Sequence, residues 1–385
     1  MSKISMVPLP FAMLFLDVWP LKRSAPWPGL LAEKWPLYLL AAVAGLQAVL
    51  QARNQGILIG VEHYGIASRL GGMLVSYVWY LKGIFLPLDF ALLYPHPGNG
   101  LAWGTIAFSL LVLLFLTGCF ICLRKSHPWL LSGWGWFLVM LLPFTGLFQW
   151  NEQWTADRYA YFPMIGLSFS AVWSATAWPH CATLWRRDAP AVILTVLASQ
   201  CWHQQSHWKD SQTLFAHTLT LYPHNPVAQN QMGLGLMEKG DIAGAIFHFC
   251  EAITFRPSRE PWNNLGLAFE RNGQLQEAAI AFQKAVAIAP DNALAHLNLG
   301  RVLTASGNLS AAERHLRQAV HLAPHSGNAH YTLALALLKQ RRWQEARAAL
   351  SRAISISPAI GLSIDAFDAI EKEFHSQKNC LSPTP

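Results

Sequence analysis

The chain has 385 residues, of which 53% are hydrophobic and only 13% charged, and 28 Lys and Arg against 21 Asp and Glu leave a net charge of +7. That length accommodates two or three domains, and the composition is too apolar for an ordinary soluble protein. The excess positive charge lies mainly in loops between apolar segments, where orientation in a bilayer accounts for it, so nucleic acid is not an expected partner.

The apolar residues are concentrated in the first half. Before about residue 205 there are 12 Lys/Arg and 7 Asp/Glu, and after it 16 and 14. A membrane-spanning helix needs roughly 17 to 25 apolar residues to cross a hydrocarbon core about 30 Å thick. Seven segments approach this, over 4–20, 35–51, 70–87, 101–123, 130–149, 159–178 and 189–204, and residues 1–205 read as a membrane domain. The segment 101–123 is uncharged. Met1–Pro20 contains Asp17 and Trp19-Pro20 and has no small-residue cleavage site, so it does not read as a cleavable signal peptide.

Loop charge sets the expected orientation. Arg53, Arg69, Arg124, Lys125, Arg186, Arg187 and Lys3 fall on one side, against Lys22, Arg23, Lys34 and Arg158 on the other. Seven against four favours a cytoplasmic N-terminus, a multi-pass protein of the inner (cytoplasmic) membrane and an extracytoplasmic C-terminal half. Asp17, Lys82, Asp89, Glu152, Asp157 and Arg158 then fall at or near the extracytoplasmic face, where ionisable groups line a cavity, pair with each other or contact a polar ligand.

After Trp202 the pattern becomes periodic. Prolines recur at Pro223, Pro257, Pro290, Pro324 and Pro358. Aligned on them, Gly233, Gly266, Gly300 and Ala334 form one column, Phe249, Phe282, Leu316 and Leu350 another, and Ala245, Ala278, Ala312 and Ala346 a third. Gly240, Gly273 and Gly307 fall in the turn between two helices, where positive φ is expected. Four repeats are expected over 226–360, preceded by a partial repeat helix and linker over 206–225. A capping helix over 361–375 and a disordered tail over 376–385 follow.

The periodic columns, and Trp262, Leu265, Gly266, Phe269, Ala278, Phe282, Ala285 and Pro290 in the second copy above all, resemble the tetratricopeptide repeat. The expected fold class is therefore all-α, a polytopic membrane helix bundle followed by a tetratricopeptide-repeat α-solenoid. Such arrays present a concave surface lined by the first helix of each repeat and bind proteins or peptides there. Asn230, Asn264, Asn298 and His330 are the candidate residues of that groove, with Asn263 and His296 beside them. An asparagine here holds a ligand backbone or, alternatively, bonds to a neighbouring helix.

Other signals carry less. His203 and His207 are four apart, but no acid or cysteine accompanies them, and no metal site is expected. Cys119 and Cys122 lie within an apolar run, where thiols act as small hydrophobes. There is no glycine-rich phosphate loop and no serine-nucleophile motif, and no cofactor is expected.

Pro8-Leu9-Pro10-Phe11, Leu16 to Leu21, Tyr77 to Lys82, Tyr94-Pro95, Gly133-Trp134, Pro143 and above all Ala156 to Gly166, followed by the repeats, are similar to the bacterial relatives of the transmembrane and tetratricopeptide repeat O-mannosyltransferases. That resemblance implies a C-type glycosyltransferase membrane core, transfer of a sugar from a polyprenyl-phosphate donor to a protein hydroxyl, and a membrane lipid as partner. The match begins after the family's first extracytoplasmic loop, which supplies the acidic residues held to be catalytic, so no catalytic carboxylate is carried over. By resemblance Arg158 is the first candidate for the donor phosphate, Lys82 the second, and Asp157 orients Arg158 or assists the acceptor. The competing expectation is a non-enzymatic, membrane-anchored scaffold that recruits envelope or secretion proteins.

Overall fold

The computed structural model describes residues 7–24, 26–54, 65–85, 91, 94, 100–146, 155–177 and 189–358. Asp89, Glu152 and the segments 361–375 and 376–385 lie outside the described residues. All regular structure among the described residues is helical, and the chain divides into two compact units, the first ending at Pro223 and the second beginning at His224.

Among the described residues of the first unit the α-helices are α1 (Leu9–Val18), α2 (Trp27–Glu33), α3 (Trp35–Asn54), α4 (Ile66–Phe85), α5 (Trp103–Cys122), α6 (Pro128–Leu141), α7 (Tyr161–Ala177), α8 (Ala189–His207) and α9 (Ser211–Leu221). Every one of the seven apolar segments contains a helix, but length separates them. Among the described residues Trp103–Lys125 is the one single helix long and apolar enough to cross a membrane, and Trp27–Glu33 with Trp35–Gln51, bent by 57°, adds a second if the pair is one broken span. The expected set of seven spans is corrected on this point. Leu9–Val18 and Pro128–Phe144 are too short, α4 includes Arg69 and Lys82, and α8 turns polar at Gln200, His203 and Gln204.

The first unit's core joins Tyr77, Tyr80 and Leu81 of α4, Leu113 of α5 and Trp134, Phe137 and Leu141 of α6. Small residues set its closest helix approach. A Cβ on Gly133 would lie 2.2 Å from the Gly166 carbonyl oxygen, and one on Gly166 would lie 2.5 Å from that of Gly133, so α6 and α7 meet backbone to backbone. The Trp136 indole N–H donates to Phe162 O at 2.8 Å and the Ser170 hydroxyl to Trp129 O at 2.9 Å across the same contact. Asp17 does not join Lys82 or Asp157. It is buried, ion-paired with Lys34 and 3.5 Å from Arg23, which also reaches Glu33 at 2.8 Å.

Among its described residues the second unit has four consecutive helix pairs: α10 (Pro226–Glu238) with α11 (Ile242–Phe255), α12 (Arg259–Arg271) with α13 (Leu275–Ile288), α14 (Ala293–Ala305) with α15 (Leu309–Leu322), and α16 (Gly327–Lys339) with α17 (Trp343–Ile356). The glycine column exists because the second helix of each pair drives a large side chain into the first. A Cβ on Gly233, Gly266 or Gly300 would lie 2.6 Å from Phe249, 2.7 Å from Phe282 or 2.5 Å from Leu316. Each second helix stops ahead of a proline, which has no N–H to continue it. The inter-helix turns take φ of +86° at Gly240, +78° at Gly273 and +86° at Gly307. Arg341 holds the same turn position in the fourth pair at φ +61°, a conformation that costs a side-chain-bearing residue about 1–2 kcal/mol.

Neighbouring repeats also cap one another. The Arg271 guanidinium donates to Met237 O at 3.3 Å and the Lys339 ammonium to Thr304 O at 3.0 Å. Both carbonyls belong to the last turn of the preceding first helix, where a cation complements unsatisfied acceptors and the negative end of the helix dipole.

Candidate functional site

The predicted groove residues fall on the first helices of the repeats, and the asparagines among them join into a ladder. Asn264 Nδ2 donates to Asn230 Oδ1 at 2.9 Å, and Asn298 Nδ2 donates to Asn263 Oδ1 at 2.8 Å. Each bond runs from the residue two places before the column glycine to the residue three places before it in the previous repeat. Arg301 extends the ladder, pairing with Glu270 and reaching Asn298 Oδ1 at 3.5 Å. Asn230 and Asn298 are mostly buried, at 9% and 7% exposure, so the bonds fix their amides. An amide carries two N–H donors and a two-lone-pair oxygen, and the ladder uses one side of each pair. Asn230 keeps donor capacity and Asn264 keeps its acceptor.

His330 stands apart from the ladder, with its Nε2–H donating to Pro324 O at 3.1 Å. His296, at the same position one repeat earlier, donates from Nε2 to Pro290 O at 3.1 Å, which leaves Nδ1 to accept from His315 Nδ1–H, also at 3.1 Å. Burial, then the neighbouring His296 and Arg314, push the His315 imidazole below its ordinary pKa. These contacts fix two ring orientations that the spacing of histidines in the chain does not reveal.

A second candidate site is a cleft of about 540 Å³ in the first unit. Its polar lining comes from Lys82 at the C-terminal end of α4, Asp157 in the turn before α7, Tyr94, and Gln200, Gln204 and Gln205 of α8. Tyr80 builds the turn: its hydroxyl donates to Ala156 O at 3.0 Å and accepts from Ala156 N–H at 3.1 Å. Asp157 is thereby placed against Tyr94, whose hydroxyl donates to the carboxylate with both oxygens at 2.9 Å while accepting from Ala91 N–H at 2.8 Å. Burial raises the Asp157 carboxyl to about 6, and the Tyr94 hydrogen bond opposes that rise. Burial and the adjacent Asp157 charge raise the Tyr94 hydroxyl. The Trp79 ring packs edge-on against Tyr94, with centroids 4.5 Å apart.

Thus Lys82 and Asp157, two of the three predicted donor contacts, share one cleft. Arg158 is exposed and does not line it; its guanidinium lies 5.1 Å from the Tyr159 ring centroid. Asp157 bonds to Tyr94 rather than orienting Arg158. Nothing local in the sequence marks Tyr94, Tyr80 and Gln200 as site residues, because each meets Asp157 or its cleft across at least 40 positions and no local period connects them.

No group of three or more His, Cys, Asp and Glu among the described residues is arranged to hold a metal ion. His203 and His207 lie 5.3 Å apart by ring centroid, but the His207 ring stacks on His217 at 3.9 Å.

Two tetratricopeptide repeat models match the chain, over residues 259–325 and 297–359. Residues 259–359 are therefore tetratricopeptide repeats, a protein-binding module. Among solved structures the chain is similar to YrrB, described as a tetratricopeptide repeat protein with an unusual peptide-binding site, at 19% identity over 45% of this chain and 88% of that one, with a TM-score of 0.38. It is similar to MamA from Desulfovibrio magneticus at 19% identity, over 44% and 96% of the two chains, with a TM-score of 0.37. A thermophilic repeat protein of Thermus thermophilus matches at 24% identity, over 45% and 95%, with a TM-score of 0.36. No curated protein matches the chain.

Proposed function

We propose that the protein is a membrane-anchored peptide-binding protein whose repeats hold an extended protein segment through the asparagine ladder. The ladder carries the reading: Asn230, Asn264 and Asn298 are fixed by bonds to each other's repeats and retain amide groups that match the N–H and C=O of a peptide backbone. Backbone recognition of this kind tolerates many side chains. The test is binding of the full chain to a fluorescent extended peptide, with Asn264→Ala and Asn298→Ala combined. Each lost backbone hydrogen bond is worth about 1 kcal/mol, so the double variant should bind roughly tenfold or more weakly while retaining its helical content. Unchanged affinity in a folded double variant sinks the reading.

The anchor is supported by exposed apolar faces. The helix Trp103–Lys125 presents Phe108, Leu111, Leu114 and Phe115 outward at 60% exposure or more, an arrangement suited to lipid rather than water. Counted over all seven apolar segments, the loop charges favour insertion in the inner membrane with the repeats outside the cytoplasm, whereas Arg124 and Lys125 at the end of Trp103–Lys125, crossing alone, favour the reverse, so the side of the repeats is the point to test. A periplasm-active reporter fused after Pro358 is expected to be active and its cytoplasm-active counterpart silent; the reverse pattern overturns this orientation.

A second reading is favoured by the cleft. Lys82 makes no hydrogen bond or ion pair among the described residues, and it shares an apolar-walled cavity with Asp157. A cation placed so is suited to the phosphate of a membrane lipid, and the family resemblance implies a polyprenyl-phosphate sugar in that place, with Arg158 one residue beyond the lining. In this reading the repeats hold the acceptor protein and the cleft holds the donor.

A further inference from the structure

We propose that the cleft between α4, α7 and α8 binds the phosphoethanolamine headgroup of a membrane phospholipid. The inference rests on the reading that this cleft takes a lipid phosphate and names the chemistry that must accompany it.

Three groups in the cleft have bonding capacity left over. Lys82 is a cation without a partner among the described residues. Asp157 receives a single O–H, from Tyr94, although a carboxylate offers about four lone-pair sites. Gln200 Oε1 is buried and accepts nothing, and a desolvated acceptor of this kind costs free energy until a donor reaches it. The same cleft is walled by Trp79, Tyr94 and Trp208, whose ring faces attract cations.

A simple anion answers Lys82 but brings negative charge toward Asp157 and leaves Gln200 Oε1 unpaired. A simple cation answers Asp157 and Gln200 and leaves Lys82 unpaired. A zwitterion with phosphate and ammonium satisfies all three. The ammonium must carry N–H groups, because Gln200 Oε1 needs a donor, and this selects ethanolamine over choline. The cleft wall includes Leu197, and α8 continues outward through exposed Val192, Ile193, Leu194 and Val196, an apolar track suited to acyl chains. The lipid-linked headgroup is therefore favoured over the free one.

The test is isothermal titration of the full chain in detergent with dihexanoyl-phosphatidylethanolamine, dihexanoyl-phosphatidylglycerol, free O-phosphoethanolamine and polyprenyl phosphate. The ethanolamine lipid should bind about tenfold tighter than the glycerol lipid. Asp157→Asn, which retains an acceptor for Tyr94, and Gln200→Leu should each remove most of that preference. Lys82→Ala should weaken both lipids by about tenfold and Lys82→Arg should restore them. Equal binding of the two lipids, lost in Lys82→Ala, overturns the headgroup assignment and leaves the lipid-phosphate reading standing. Binding unaffected by Lys82→Ala overturns both. Polyprenyl phosphate binding tighter than the ethanolamine lipid overturns the assignment in favour of the donor reading, and free O-phosphoethanolamine binding as tightly as the lipid overturns the acyl-chain part.

Discussion

Phe282→Ala is expected to cost the repeat unit about 3–5 kcal/mol, a large share of the roughly 5–15 kcal/mol that holds an ordinary domain folded. The side chain is fully buried; its ring touches the Gly266 position on α12, and it packs with Ala278 of its own helix and Leu299 and Val302 of the next repeat. Truncation therefore opens a cavity shared by two interfaces, and in a repeat array stability is carried by such nearest-neighbour contacts. Phe282→Leu is the control. Leu316 and Leu350 fill the same column in the later repeats, so leucine should cost less than about 1.5 kcal/mol. Urea unfolding followed by hydrogen exchange of α12 to α15 measures both. A loss below about 1 kcal/mol for the alanine variant would mean that the ring is not the keystone its burial suggests.

Lys34→Met should cost the first unit about 3 kcal/mol or more, because removing one partner of a buried ion pair leaves the other charge desolvated. The side chains of Asp17 and Lys34 are 4% and 8% exposed. Arg23, 3.5 Å from Asp17 and 38% exposed, compensates partly and places the effect at the lower end of the range. The double variant Asp17→Asn with Lys34→Met should recover most of the loss, since no buried charge remains. Thermal unfolding of both variants in detergent decides it: a Lys34→Met single variant no less stable than the double contradicts the buried-charge account.

The two units were legible from the sequence to different depths. The glycine, alanine and aromatic columns identify the helix pairs because each repeat is a local unit whose packing recurs every 33 or 34 positions. Arg341 takes the turn position of Gly240, Gly273 and Gly307, and its positive φ shows that the repeat register overrides the local residue preference. In the first unit hydropathy located the helices but not their reach. Short helices such as Leu9–Val18 end where a tertiary contact begins, at the buried Asp17, and composition does not register that.

The sequence by itself determined the repeat fold, the candidate groove residues and the polar segment around Asp157 and Arg158, because these follow from periodicity and from charge set against apolar runs. Tertiary structure alone decided the pairings. Asp157 meets Tyr94 across 63 positions, Asp17 meets Lys34 across 17, and Asn264 and Asn298 each bond one repeat back rather than standing alone. The reason is physical: side-chain hydrogen bonds and ion pairs depend on where two backbones meet in space, and a local pattern fixes the shape of each element without fixing which element it faces.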